Sequence, residues 1–153
     1  MSEKSRESLA VYKTLIDHLT RKDLNFKRDD EKLTIEMIMR GDDLPMEVRF
    51  QVIDERKVMR LLSILPFRVS DSKRVEIANV ICKINDQLLN GCFDYNEEHG
   101  LIIFRLTQIF IGSLIGEETI QYMIGLSLNS IEEYNDKFFM FSQGKLTAEE
   151  VVG

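Results

Sequence analysis

The stretch that decides the fold is Val75–Arg105, VEIANVICKINDQLLNGCFDYNEEHGLIIFR. It reads as an apolar helix, a glycine stop at Gly91, a short extended piece, an acidic turn and a strongly apolar strand. Val75, Ala78, Ile81, Cys82, Asn85, Leu88 and Leu89 recur at three- and four-residue steps, which stacks them on one side of a helix. Ile77, Val80 and Ile84 form a second apolar side. A helix apolar on two sides has to be covered on both, once by its own sheet and once by something else. Gly91 is expected to end it by taking the left-handed conformation that a Cβ disfavours. Asn85 is the one polar side chain on the main stripe. An unpaired buried amide costs about 1–3 kcal/mol, so Asn85 is expected to satisfy a backbone group or a facing polar residue, with dimer register as the alternative role.

The strand that follows, residues 101–111, carries Ile102, Phe104, Leu106 and Phe110 toward one face and Leu101, Ile103, Ile109 and Ile111 toward the other. Two apolar faces predict an interior strand covered above and below.

Upstream, residues 3–21 read as a helix with Leu9, Tyr12, Leu15, Ile16 and Leu19 on one stripe. A short strand around Phe26 and a polar turn at Asp29–Glu31 follow. Leu33, Ile35, Met37 and Met39 alternate with polar residues, as do Met46, Val48, Phe50 and Val52 after a break at Gly41, Asp42, Asp43 and Pro45. These are half-buried antiparallel strands. Residues 56–65 fit a helical period, yet the short Asp54–Glu55 link suits a hairpin and Pro66 follows at once; the reading chosen is strand. Ser70 or Ser72 is the expected cap of the central helix.

Downstream, Gly116, Glu117 and Glu118 begin a helix whose acids sit where the helix dipole favours them, and it runs to about Phe141. Phe138, Phe139, Met140 and Phe141 are consecutive, so no single face buries them all. Thr147–Glu150 predicts a short capped terminal turn. The fold class is α+β: an antiparallel sheet of about five strands with three helices, in the order α-β-β-β(-β)-α-β(-β)-α.

The 153 residues are read as a single domain, 1–153, long enough for one core. A hydrophobic fraction of 44% and a charged fraction of 30% describe an ordinary globular chain. A net charge of −6 argues against nucleic acid as partner, because displacing counterions from phosphate takes a basic surface. Residues 1–28 are net basic and residues 106–153 net acidic, which suits either long-range attraction within the chain or a steered partner contact. No 18-residue apolar run exists and MSEKSRESLAVYK lacks the apolar centre of a secretory signal, so the expectation is cytoplasmic, with no membrane partner. Cys82 and Cys92 are read as unbridged buried or half-buried thiols, since a mostly helical interval holds them about 12 Å apart along its axis.

No catalytic residue, metal ligand set or cofactor motif is expected. Asp94, Asn96, Glu98 and Gly100 superficially suggest a calcium loop, but Arg105 stands where a bidentate glutamate is required. The acidic hairpin turn is the better reading. His18 and His99 lack a paired serine or cysteine motif and are expected at the surface. Zinc spacing and phosphate-binding glycine loops do not occur.

Taken together, IANVICKINDQLLNGCFDYNEEHGLIIFRL, with Asn85, Gly91, Phe93, Asp94, Gly100 and Arg105, resembles the YbjN-like family, also called bacterial sensory transduction regulators. SIEEYNDKFFMFSQGKLTAEE is similar to that family's closing helix and terminal segment. The resemblance spans roughly residues 5–150 and departs at Cys92, where a polar residue is usual. It implies a fold similar to type III secretion chaperones, small acidic dimers that hold an extended partner segment against apolar surface, and it implies no enzymatic activity.

The functional expectation is a non-enzymatic protein-binding module, chaperone-like or regulatory, that forms a homodimer. Ile77, Val80, Ile84, Phe138, Phe139 and Phe141 are the expected partner or dimer contacts. The alternative is a small-molecule sensor with an apolar pocket between the sheet and the last helix.

Overall fold

Alternation along the strands builds the sheet: in Pro45–Ile53, Met46, Val48, Phe50 and Val52 are buried while Glu47, Arg49 and Gln51 point the other way. The computed structural model describes residues 3–40 and 44–153. It runs α1 (Arg6–Arg21), β1 (Lys27–Asp29), β2 (Thr34–Arg40), β3 (Pro45–Ile53), β4 (Val58–Arg68), a 3-10 turn (Asp71–Lys73), α2 (Arg74–Gln87), β5 (Cys92–Asn96), β6 (Leu101–Ile109), α3 (Glu117–Ser142) and α4 (Ala148–Val152). The strands form one antiparallel sheet in the order β1-β2-β3-β4-β6-β5. The α+β architecture is as expected, with one more strand and a short fourth helix. Of residues 56–65, Val58 onward forms the expected strand, which extends through Pro66 to Arg68 across a register shift after Ile64, while Arg56 and Lys57 belong to the turn before it. The break expected at residues 41–43 lies outside the described residues.

The helices pack on one face of the sheet, α1 on β3, α3 on β4 and β6, and α2 on β5. That face supplies the core, with Ile35, Phe50, Leu61, Phe104 and Ile102 fully buried. Burying these groups at roughly 25 cal/mol per Å² is the main stabilising term. One polar pair is matched inside the core: the Ser63 and Ser127 hydroxyls lie 2.5 Å apart between β4 and α3. In α1 the buried stripe is rotated from the expected one, since Val11 and His18 join Tyr12, Leu15 and Leu19 while Leu9 stays exposed. His18 is therefore not the surface residue expected; its Nδ1 lies 3.3 Å from Glu117 Oε1, and Glu117 also pairs with Arg21, which ties α1 to the start of α3.

In α2 the assignment of faces is reversed. Ile77, Val80, Ile81 and Ile84 are buried, whereas Val75, Cys82 and Leu89 are exposed. The second cover that the helix requires comes from its own chain, because α4 packs across α2 and α3 with Val151 fully buried. The capped terminal turn expected at Thr147–Glu150 is present and starts α4 as a capping box: Glu150 N donates to Thr147 Oγ1, and Thr147 N donates to the Glu150 carboxylate, each at 3.2 Å. The α2 helix ends at Gln87 with an extended Leu88 cap, so Gly91 is not its stop. Gly91 instead turns the chain into β5 at φ +75°, where a Cβ would fall 2.5 Å from Phe104 Cζ.

Asn85 meets the expectation of a satisfied amide. Its Nδ2 donates to Phe93 O at 3.0 Å and its Oδ1 accepts from Phe93 N at 2.8 Å. Phe93 lies on the edge strand, so this one side chain supplies the hydrogen bonds that a further strand would have made.

Candidate protein-binding face

The expected contact residues do not gather on the surface. Ile77, Val80, Ile84, Phe138 and Phe141 are buried inside the subunit, and Phe139 is half-buried with its ring edge-on to Phe67 at a 5.3 Å centroid distance. The aromatic run is covered from within: Phe138 packs edge-on against Phe93 at 5.3 Å, and Lys73 Nζ sits 5.0 Å over the Phe141 ring. The space between sheet and last helix, where the alternative reading expected a pocket, is occupied by Phe93, Phe104, Met123, Ser127 and Phe138.

The uncovered surface is the other face of the sheet. Residues 101–111 were expected to be covered on both sides, but among the described residues no helix packs on the side carrying Leu101, Ile103 and Ile109. Ile111 lies past the end of β6 and is exposed. The strand register fixes what lies side by side on this open face. One row across the sheet runs Lys27, Glu36, Arg49, Leu62, Arg105, Cys92. The next runs Ile38, Glu47, Ile64, Ile103, Asp94. Leu62, Ile64 and Ile103 thus form a half-buried apolar strip down the middle, and Ile38 stands 69% exposed toward the β2 edge.

Charges frame this strip. Arg49 Nη2 reaches Glu47 at 3.1 Å, and its buried Nε lies 3.4 Å from Glu36 Oε1, an ion pair without hydrogen-bond geometry. Arg105 donates to Asp94 at 2.6 Å, and that hydrogen bond raises the guanidinium pKa further. Arg60 donates to Gln51 Oε1 at 3.0 Å. Cys92, beside Arg105, has its thiol pushed up by burial first and then by the Asp94 charge, so it stays protonated near neutral pH and is a poor nucleophile. Among the described residues no group of three or more His, Cys, Asp or Glu side chains converges to hold a metal ion.

At one end of the face a groove of about 720 Å³ opens between Phe26, Met37, Ile38, Met46, Ile64 and Pro66. Strand β1 pairs with Thr34–Glu36, and among the described residues no strand lies beside the outer backbone edge of Met37–Arg40. The face therefore offers apolar contact, paired charges and unpaired main-chain groups, the ingredients of protein recognition.

Arg49, Leu62, Ile64 and Ile103 were not among the residues expected to touch a partner. The signal that finds them is the polar half of the β3 alternation, Glu47-x-Arg49-x-Gln51, which shares a sheet face with Ile103.

Comparison with solved structures places the chain in the fold of type III secretion chaperones. A chain of the HopA1–SchA chaperone–effector complex superposes with a TM-score of 0.63 at 12% identity, covering 88% of this chain and 99% of that one. A chain of the ExsC–ExsE complex gives 0.58 at 12% identity, covering 86% and 95%. YbjN from E. coli gives 0.57 at 14% identity, covering 78% and 84%. Among curated proteins, the sequence comparison finds no match. No helix among the described residues is long and apolar enough to cross a membrane. The profile of the YbjN family, described as "Putative bacterial sensory transduction regulator", matches residues 12–140, and the chain belongs to that family.

Proposed function

We propose that this protein is a non-enzymatic cytoplasmic binding module that recognises another protein chain through the open sheet face. The observation that carries this reading is the half-buried apolar strip Leu62, Ile64 and Ile103, on the side of the sheet opposite the one where the helices pack on β3, β4, β6 and β5. Binding would bury that strip while the Arg49, Arg60 and Arg105 network around it selects partners by charge. The similar folds support a protein partner, since two of them were solved as complexes and one of these is a chaperone with its effector.

The test is a photo-crosslinking residue placed at Ile64 or Ile103 in the native cell, with exposed Leu89, just past the end of α2, as control. The expected result is a protein crosslinked from the sheet face and not from Leu89, lost when Leu62→Lys is added. Equal crosslinking from all three positions, or none from the face, would refute the reading.

A further inference from the structure

Resting on the protein-binding reading, we propose that Arg60 is the anchor for an aspartate or glutamate of a partner protein, set between apolar side chains that cover Leu62 and Ile109. The strand register gathers three arginines about one leucine. Arg49 on β3 and Arg105 on β6 stand directly opposite Leu62 of β4, one on each side, and Arg60 is the next residue along β4 on the same face. Strands about 4.8 Å apart and a two-residue step of about 6.8 Å put the three Cα positions within about 10 Å of one another. In a chain of net charge −6 this is a local concentration of positive charge. The three arginines differ in what they already hold. Arg49 is paired with Glu36 and Glu47, and Arg105 with Asp94. Arg60 has no carboxylate partner among the described residues: its Nε and Nη2 both donate to the neutral Gln51 Oε1, which orients the guanidinium and leaves its charge unmatched.

The surroundings of Arg60 define what it binds. Its neighbours across the sheet, Gln51 and Thr107, are uncharged, and the next row toward the end of the sheet is Ile53, Val58 and Ile109, with Ile109 59% exposed. Leu62 stands on the other side along β4. A carboxylate seated on Arg60 is therefore bracketed by apolar surface, and apolar groups of the same partner that cover it exclude water from the charge pair and strengthen it. The planar guanidinium suits a carboxylate, which accepts two parallel bonds from it. Glu36 lies two strands away, and Glu47 and Asp94 lie in the row beyond Leu62. These acids repel a continuous run of phosphates, so the arginines do not form a track for nucleic acid. A basic partner segment would meet Arg60 with like charge.

The test selects binders to the immobilised full chain from a display library of short random peptides and measures the enriched peptides by fluorescence anisotropy. They are expected to carry Asp or Glu flanked by Leu, Ile, Val or Phe. Arg60→Gln, checked for folding by circular dichroism, is expected to weaken them by about tenfold or more, and replacing the peptide's acid with its amide should weaken binding to wild type equally. Both changes together should cost little more than either alone, because they remove the same pair. Arg49→Gln is the comparison and is expected to cost less, since Glu36 and Glu47 already meet that charge. Enriched peptides without an acid, acidic peptides indifferent to Arg60→Gln, or displacement of the peptides by a DNA duplex would each overturn the proposal. Acid-free peptides that lose binding to Leu62→Thr would overturn the carboxylate anchor and leave protein binding through this face standing. No enriched peptide, together with no crosslink from Ile64 or Ile103 in the cell, would remove both.

Discussion

Removing the amide of Asn85 isolates the contribution of one side chain to the sheet edge. In Asn85→Ala, Phe93 N–H and C=O lose their only side-chain partners, at 2.8 and 3.0 Å. Each such bond contributes about 0.5–1.5 kcal/mol, so the pair is expected to cost about 2 kcal/mol, more if water cannot reach the freed groups. Phe93 also anchors the aromatic cluster, with Phe104 at 5.2 Å and Tyr134 at 5.7 Å, so loosening β5 would loosen the seat of α3 as well. For a domain of this size the loss corresponds to a drop in melting temperature of about 4–8 °C. Chemical denaturation followed by circular dichroism measures it. Asn85→Asp tests the geometry further: the acceptor for Phe93 N–H survives, but a carboxylate now faces Phe93 O, and this variant should be no more stable than the alanine. A loss below about 0.5 kcal/mol for alanine would refute the reasoning, since solvent would then be replacing the amide at no cost.

Asp54 accepts from the hydroxyls of Ser5 and Ser8, each at 2.6 Å, and from Lys57 at 2.9 Å, which holds its carboxyl well below the ordinary carboxylate range. A depressed folded pKa stabilises the fold above the unfolded value of about 3.9 and the benefit is lost as pH falls below it. Asp54→Ala should therefore cost about 1–2 kcal/mol at neutral pH, and wild type and variant should converge in acid urea melts. Ser63→Ala leaves the Ser127 hydroxyl buried without its partner and should cost about 1–3 kcal/mol, whereas Ser63→Ala with Ser127→Ala should recover part of that loss in a double-mutant cycle. Gly91→Ala combines a left-handed backbone with a Cβ 2.5 Å from Phe104 and should cost about 2 kcal/mol or more, read from the same melts. Val151→Asp puts an unpaired charge under α4 and should detach that helix from α2, seen as faster hydrogen exchange in both.

Periodicity made most of the fold legible. The alternation in β2 and β3, the helix expected from Gly116 to about Phe141 and the capped turn at Thr147–Glu150 each correspond to an element of the structure. The errors share a physical origin. In α2 both sides are apolar, and period alone does not say which faces the sheet; that depends on α4, far along the chain, whose Val151 covers part of the same helix. Residues 101–109 read as an interior strand because Leu101 and Ile103 are as apolar as Ile102 and Phe104. A strand's environment is set by its neighbours: Ile103 lies beside Asp94 and Ile64, in a face that β3 fills with Glu47, Arg49 and Gln51. The contact residues were misplaced for the same reason, since excess apolar surface in one element was met by a later element of the same chain.

The claim that matters most is that the bare side of the sheet is where another chain sits. Amide hydrogen exchange on protein freshly isolated with its bound partner, compared with protein diluted until it dissociates, addresses it directly. The account predicts that dilution speeds exchange in β3, β4 and β6 while the amides of α2 keep their rates. Faster exchange confined to α2, α3 and α4, with the sheet unchanged, would contradict it.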